Sequence, residues 1–259
     1  VVVPALPAGL TRRLVVWELV AVFAVSLGAS GLRALVNFVG AVTAPAPLSS
    51  QRATVLGSFT PDRPWLDLAY HLVSIATGLA PVLLVAYLLV RSGESLRTIG
   101  VDASRPGSDL GRGLALAAAI GSTGLVFYLA TVALGINKMV VASSLPDVWW
   151  AVPVQVLAAA ENGILEEVLV AGFLLHRLAQ LGVGRGRALV ISSLLRGSYH
   201  LYQGAGGFLG NVIMGFVFGW LYQRWGRAMP LVVAHTAIDV GAFVGFALLA
   251  GRVSWLPGA

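Results

Sequence analysis

Long apolar runs separated by short, turn-rich polar segments make up the pattern of the chain. Residues 14–30 are the first run, interrupted by Glu18, and 31–46 read as a half-buried continuation. A polar loop over 47–64 leads to a second run, 65–90, with Asp67 and His71 near its start. The basic link 91–112 precedes a third run, 113–135. A fourth, 148–181, is too long for one straight span, and Asn162-Gly163 is its expected kink or break. After the tight basic turn 182–187 come a fifth run (188–202), a sixth (208–222) and a seventh (231–250). A membrane-crossing helix needs about 20 apolar residues. The pattern therefore predicts an all-α polytopic bundle of seven helices, or eight if 31–46 stands alone. Residues 1–147 would supply the N-terminal membrane helices, 148–250 a catalytic helical core and 251–259 a short tail.

Composition agrees with this. Of 259 residues 58% are hydrophobic and 11% charged, against about 25% charged in a soluble domain, and mean hydropathy is +0.86. With no cysteine there is no disulfide and no thiolate metal site, so metal ligands could come only from His, Asp or Glu. The Ala, Gly, Val and Arg richness fits a GC-rich bacterial genome. The net charge of +6 belongs to loops, not to a nucleic-acid-binding face. Eleven basic residues fall in alternate loops: Arg12 and Arg13; Arg91, Arg97, Arg105 and Arg112; Arg177, Arg185 and Arg187; Arg224 and Arg227. Only Arg33, Arg52, Arg63, Lys138 and Arg252 fall in the others. This predicts a bacterial inner-membrane protein with its N-terminus cytoplasmic and, for seven spans, its C-terminus outside. Gly28-Ala29-Ser30 faintly resembles a signal-peptidase site, but the many following spans favour an uncleaved anchor.

Three carboxylates interrupt the fourth run: Glu161, Glu166 and Glu167. A charge at a helix centre costs about 2.5–3.5 kcal/mol on insertion scales, so such residues face a bundle interior or a water-filled cavity. Two later runs carry partners, Arg196 and His200 in the fifth, His235 and Asp239 in the seventh. Each pair is spaced i, i+4 and shares one helix face. Helix rise places Glu166, His200, His235 and Asp239 about 16, 20, 12 and 18 Å from the basic ends of their helices. They can therefore meet in one layer, which is expected to open toward the basic end. In the sixth run Gly207, Asn211, Gly215 and Gly219 recur every four residues, a pattern for close helix approach. Asn211 is either an interhelical donor or a group aimed at the site. Peptide hydrolysis needs a general base, a water and an oxyanion stabiliser, and these residue types supply them.

With these residues in place, 148–249 resembles the CPBP intramembrane protease family of CAAX-processing and bacteriocin-processing enzymes, also called Abi. Its motifs EExxxR, FxxxH and Hxxx(N/D) correspond to Glu166-Glu167 through Ala171, Arg196 through His200, and His235 through Asp239. The resemblance implies that Glu166 and His200 activate a water while His235 and Asp239 stabilise the oxyanion. An ionised Asp239 would repel that oxyanion, so it either carries a proton or orients His235. Two positions depart from the pattern: Ala171 stands where the family has Arg, and Arg196 where it has Phe. Arg196 is expected to replace the missing cation by pairing with Glu167. Metal use stays open. A divalent ion such as zinc would take Glu166, His200 and His235, but HExxH is absent and a metal-free mechanism fits equally.

The resemblance implies a membrane-associated protein or peptide as substrate and the bilayer as surroundings, without selecting a prenylated tail or a leader. Two rival classes are an ion-coupled transporter, which would call for inverted repeats that the chain lacks, and a non-catalytic immunity or scaffold protein. A serine protease built on Gly28-Ala29-Ser30-Gly31 is disfavoured, because that stretch lies at the end of the first run, away from His200 and His235.

Overall fold

The computed structural model describes residue 6 and residues 9–257. Thr11 starts α1 (Arg12–Ala24) by accepting a bond from the Leu14 amide at 3.2 Å. The chain then bends by 51° into α2 (Leu27–Val42). Next come β1 (Arg52–Gly57), α3 (Pro64–Gly78) and α4 (Ala80–Arg91). Gly78 and Pro81 flank the irregular Leu79 between the last two; Pro81 has no N–H to continue the helical ladder. α5 (Pro106–Ala133) leads to β2 (Met139–Ser144). α6 (Ala151–Glu166) then runs without interruption through a π-helical stretch (Glu167–Leu174) into α7 (Leu175–Gln180). The bundle closes with α8 (Arg185–His200), α9 (Ala205–Trp225) and α10 (Met229–Leu249).

Taking α3–α4 and α6–α7 as single rods gives eight helices among the described residues. Four of them, 64–91, 106–133, 205–225 and 229–249, are long and apolar enough to cross a membrane, and the bent α1–α2 pair makes a fifth. Large apolar side chains stay exposed around the bundle, Leu32, Val36, Leu83, Tyr87, Val126, Ile213 and Phe216 among them, as a hydrocarbon-facing surface requires.

Two expectations need correction. The protein is not purely α-helical, because β1 and β2 pair in parallel, from Arg52 opposite Met139 to Gly57 opposite Ser144. β1 lies inside the segment read as a polar loop. Its pairing joins strands more than 80 residues apart in sequence, which short-range periodicity does not reveal. The irregularity of the fourth run is also not at Asn162-Gly163. That dipeptide is regular α-helix, and the distortion lies in the π-helical turns beginning at Glu167. Such turns are frequent at functional sites.

Polar contacts sort the connections to two ends of the bundle. At one end Arg91 and Arg177 reach Glu18, Arg177 also reaches Glu94, Arg185 bonds Gln223, and Arg227 bonds Asp102 and Asp109. The four basic segments of the sequence thus converge there. Bonds from Ala228 and Met229 to Ile99 and Gly100 tie the same end together. The other end carries the sheet. Tyr128 accepts from the Val140 amide at 2.8 Å, Gln155 donates to Ser143 at 3.0 Å, and Asn137 bridges to Gly204. Gly204 has φ +120°, and an added Cβ would lie 2.9 Å from the Asn137 Cα, so only glycine fits this approach.

The small-residue stripe of α9 faces α8. A Cβ at Gly215 would lie 3.0 Å from Ser193 Cα, and one at Gly219 2.8 Å from Leu189 Cδ2. Gly31, in the Gly-Ala-Ser-Gly stretch, serves α2 in the same way, since its Cβ position lies 2.6 Å from Ser198 Oγ.

Candidate active site

The π-helical turn places two successive carboxylates toward α8 and α10. Glu166 and Glu167 are 2% and 0% exposed, and groups from both helices meet them. Arg196, 1% exposed, donates to Glu167 Oε1, and its Nη2 lies 3.3 Å from Glu166 Oε2. The Arg196 guanidinium also lies over the Phe218 ring, 5.3 Å from its centroid. This is the contact expected of an arginine too deep to reach water. Ala171, four residues after Glu167, is a buried apolar residue of the cluster that includes Leu174, Phe218 and Leu231.

His235 Nδ1 lies 2.8 Å from Glu167 Oε1. A carboxylate can only accept, so Nδ1 carries the proton of that bond. Its Nε2 faces Asp239 Oδ2 at 3.6 Å, and Asn162 donates to the same Asp239 oxygen at 2.7 Å. Gly163 makes this close approach of α6 and α10 possible: a Cβ there would lie 2.6 Å from Thr236 Oγ1.

The two oxygens of Glu166 have different surroundings. Oε2 accepts from the buried Tyr199 hydroxyl at 2.7 Å and faces Arg196. Oε1 faces His200 Nε2 at 3.7 Å, beyond direct hydrogen bonding, and neither His200 nitrogen has a partner among the described residues. One water can bond both Glu166 Oε1 and His200 Nε2 from the side.

The structure therefore brings Glu166, Glu167, Arg196, His200, His235 and Asp239 into one cluster. Asn211 stays outside it, donating to the Gly207 carbonyl of its own helix at 3.0 Å. Sequence reasoning missed Tyr199 and gave Asn162 only a backbone role. The position of Tyr199 beside His200 at the end of an apolar helix was the available signal. The expectation of an opening toward the basic end also fails, since every residue from Glu166 to Leu178 is buried. The apolar cluster of Val22, Val85, Leu89, Ile99, Val168 and Phe173 fills that side.

For a metal, the set expected from sequence was Glu166, His200 and His235. The group whose ligand atoms lie within 4.8 Å of one another is instead Glu166, Glu167 and His235. His200 is not part of it.

A buried array of carboxylates, imidazoles and one arginine, enclosed by helices apolar enough to cross a membrane, defines a polytopic protein with an acid–base centre inside its bundle. Residues 147–241 match the family described as "Type II CAAX prenyl endopeptidase Rce1-like", and the chain carries a domain of this CPBP/Abi family, whose members are CAAX endopeptidases. The match covers the three motif segments and ends within α10, two residues past Asp239. No curated protein and no solved structure matches the chain.

Proposed function

We propose that the protein is an intramembrane endopeptidase that hydrolyses a peptide bond of a membrane-associated protein or peptide. The observation that carries this reading is the 3.7 Å separation of Glu166 Oε1 from His200 Nε2, with both His200 nitrogens unpartnered among the described residues. A water held there gives a proton to Glu166 while its oxygen attacks the substrate carbonyl carbon. His235, protonated on both nitrogens, donates from Nδ1 to Glu167 and from Nε2 to the oxyanion, and Asp239, fixed by Asn162 and 3.6 Å from Nε2, stabilises that imidazolium. The proton on Glu166 passes to the amide nitrogen as the C–N bond breaks, leaving a new carboxyl and a new amine. Glu167 does not act as base; it anchors Arg196 and His235.

The donor set does not fit a divalent metal. Arg196 already lies within bonding range of both glutamates, and the two nitrogens of His235 face Glu167 and Asp239. A second cation would have to displace the guanidinium.

Loop charge supports seven crossings with the basic end in the cytoplasm of a bacterial cell, the N-terminus inside and the C-terminus outside. In this reading residues 1–147 form the membrane helices around a catalytic core of 148–250, and 251–259 are a tail. The lipid bilayer surrounds the bundle and nucleic acid plays no part. The test is a proteoliposome assay with a farnesylated CAAX reporter peptide and membrane-anchored leader peptides. Wild-type protein releases product from at least one of them and Glu166→Gln from none; equal release by both rejects the reading.

A further inference from the structure

The polar groups of the site are not equally enclosed. Asp239 exposes 16% of its side chain, and Glu161 and Asn162 are also partly exposed; His200 exposes 15%, through ring carbons, with both nitrogens buried, whereas Glu166 to Leu178 are buried throughout. The open groups lie on the side of the sheet. Glu161 and Asn162 precede Glu166 on the rod that starts beneath β2, Asp239 is one turn beyond His235 toward β2, and His200 ends α8. On the other side the floor is closed; a Cβ at Gly172 would lie 2.9 Å from Ile99 Cδ1.

Above that floor the bent α1–α2 pair and the α3–α4 rod part. α1 packs on α4, but α2 turns away by 51° to pack on α8 and on the turn 201–203, while α3 packs on α6. α2 and α3 do not form a packed pair. Glu161 lies against Gly78 at the foot of α3 and accepts no hydrogen bond from any described residue. A carboxylate open to hydrocarbon at this depth is strongly disfavoured. Water or a polar segment of substrate in the gap removes that cost.

We infer that substrate reaches the site between α2 and α3, from the half of the bundle that carries the sheet. With the basic end in the cytoplasm, the substrate is then a peptide segment presented on the non-cytoplasmic face, an exported or outer-leaflet peptide and not a cytoplasmic prenylated tail. That the substrate is a peptide rests on the endopeptidase reading, whereas the route rests on helix packing and its side on loop charge.

The chain has no cysteine, so an introduced thiol is the sole target of a membrane-impermeant maleimide. Glu161→Cys and Asn162→Cys probe the gap, Ala171→Cys the floor, Asp62→Cys the sheet end and Arg187→Cys the basic end. In intact spheroplasts Glu161→Cys, Asn162→Cys and Asp62→Cys are expected to label at least about tenfold faster than in inverted vesicles. Arg187→Cys does the reverse, and Ala171→Cys labels only after denaturation. The inference is overturned if the gap thiols label with Arg187→Cys or from neither side. It is also overturned if all of the gap and sheet-end thiols label only in inverted vesicles. Labelling needs no turnover, so active Glu166→Gln protein would reject the endopeptidase reading and leave the route standing.

Discussion

Arg196 bonds Glu167 across the interface of α8 and the π-helical turn, the pairing expected of a cation that replaces from a different helix the arginine absent at Ala171. Both partners are buried, and removing one partner of a buried pair costs about 3–5 kcal/mol, because the other charge is left uncompensated. Arg196→Phe is therefore expected to lower cleavage by about 100-fold or more. Adding Ala171→Arg should restore a good part of it, since Ala171 belongs to the same apolar cluster as Phe218, the ring under Arg196. A double variant no better than Arg196→Phe would show that the arginine cannot be moved between helices.

In the proposed mechanism Glu166 and His200 hold the attacking water, so they should fail together. Glu166→Gln and His200→Ala are each expected to reduce kcat by at least about 1000-fold, and the double variant should be little worse than either, because members of one catalytic unit are not additive. Additive losses in single-turnover kinetics would place the two residues in separate steps.

Tyr199 holds the oxygen of Glu166 that does not face His200. A hydrogen bond to a charged group contributes about 1.5–3 kcal/mol, so Tyr199→Phe should lower kcat by about 10- to 100-fold with KM unchanged. The ring packs in the apolar cluster beside Val168 and Leu169, and phenylalanine keeps that packing. The carboxylate stretch of Glu166, isolated by subtracting the Glu166→Gln infrared spectrum, should shift as its bond is lost. An unshifted band with normal kcat would reduce Tyr199 to a packing residue.

The order of these elements was legible in the sequence because membrane-length apolar runs and their few interrupting charges are local signals. Glu166, His200, His235 and Asp239 could be placed in one layer from helix rise alone. The pairing of Arg196 with Glu167 was legible too, since a deep arginine needs a partner. What depends on tertiary packing was not. The parallel pairing of β1 with β2 spans most of the N-terminal half, and the bond from Tyr199 follows from a rotation of α8 that periodicity does not fix. The opening was placed at the wrong end because depth along a helix says nothing of which side the neighbouring helices fill. Burial of 166–178 by α1, α4 and Ile99 decided that.

The basic end carries a second polar network that bears on stability. Glu94, in the turn after α4, bonds His176 at 2.6 Å, Arg177 at 2.6 Å, Gln180 at 2.8 Å and Ser92 at 3.1 Å. Burial by itself would raise its pKa, but the bond and charge of His176, the charge of Arg177 and the Ser92 bond outweigh it and hold the carboxyl at about 2 against an ordinary 4.5. A carboxyl depressed in the folded state contributes stability that is fully present above its unfolded pKa and lost as pH falls toward the folded one. The melting temperature in detergent should therefore be level above pH 4.5 as far as Glu94 is concerned, and should fall between about 4.5 and 2. Glu94→Gln leaves Arg177 short of a counter-charge, so it should lower the melting temperature near neutral pH by about 5–10 °C. It should also flatten the acid limb, which removes the wild-type advantage at pH 2. A variant whose melting temperature falls as steeply as wild type over that window would assign the acid sensitivity to other carboxylates.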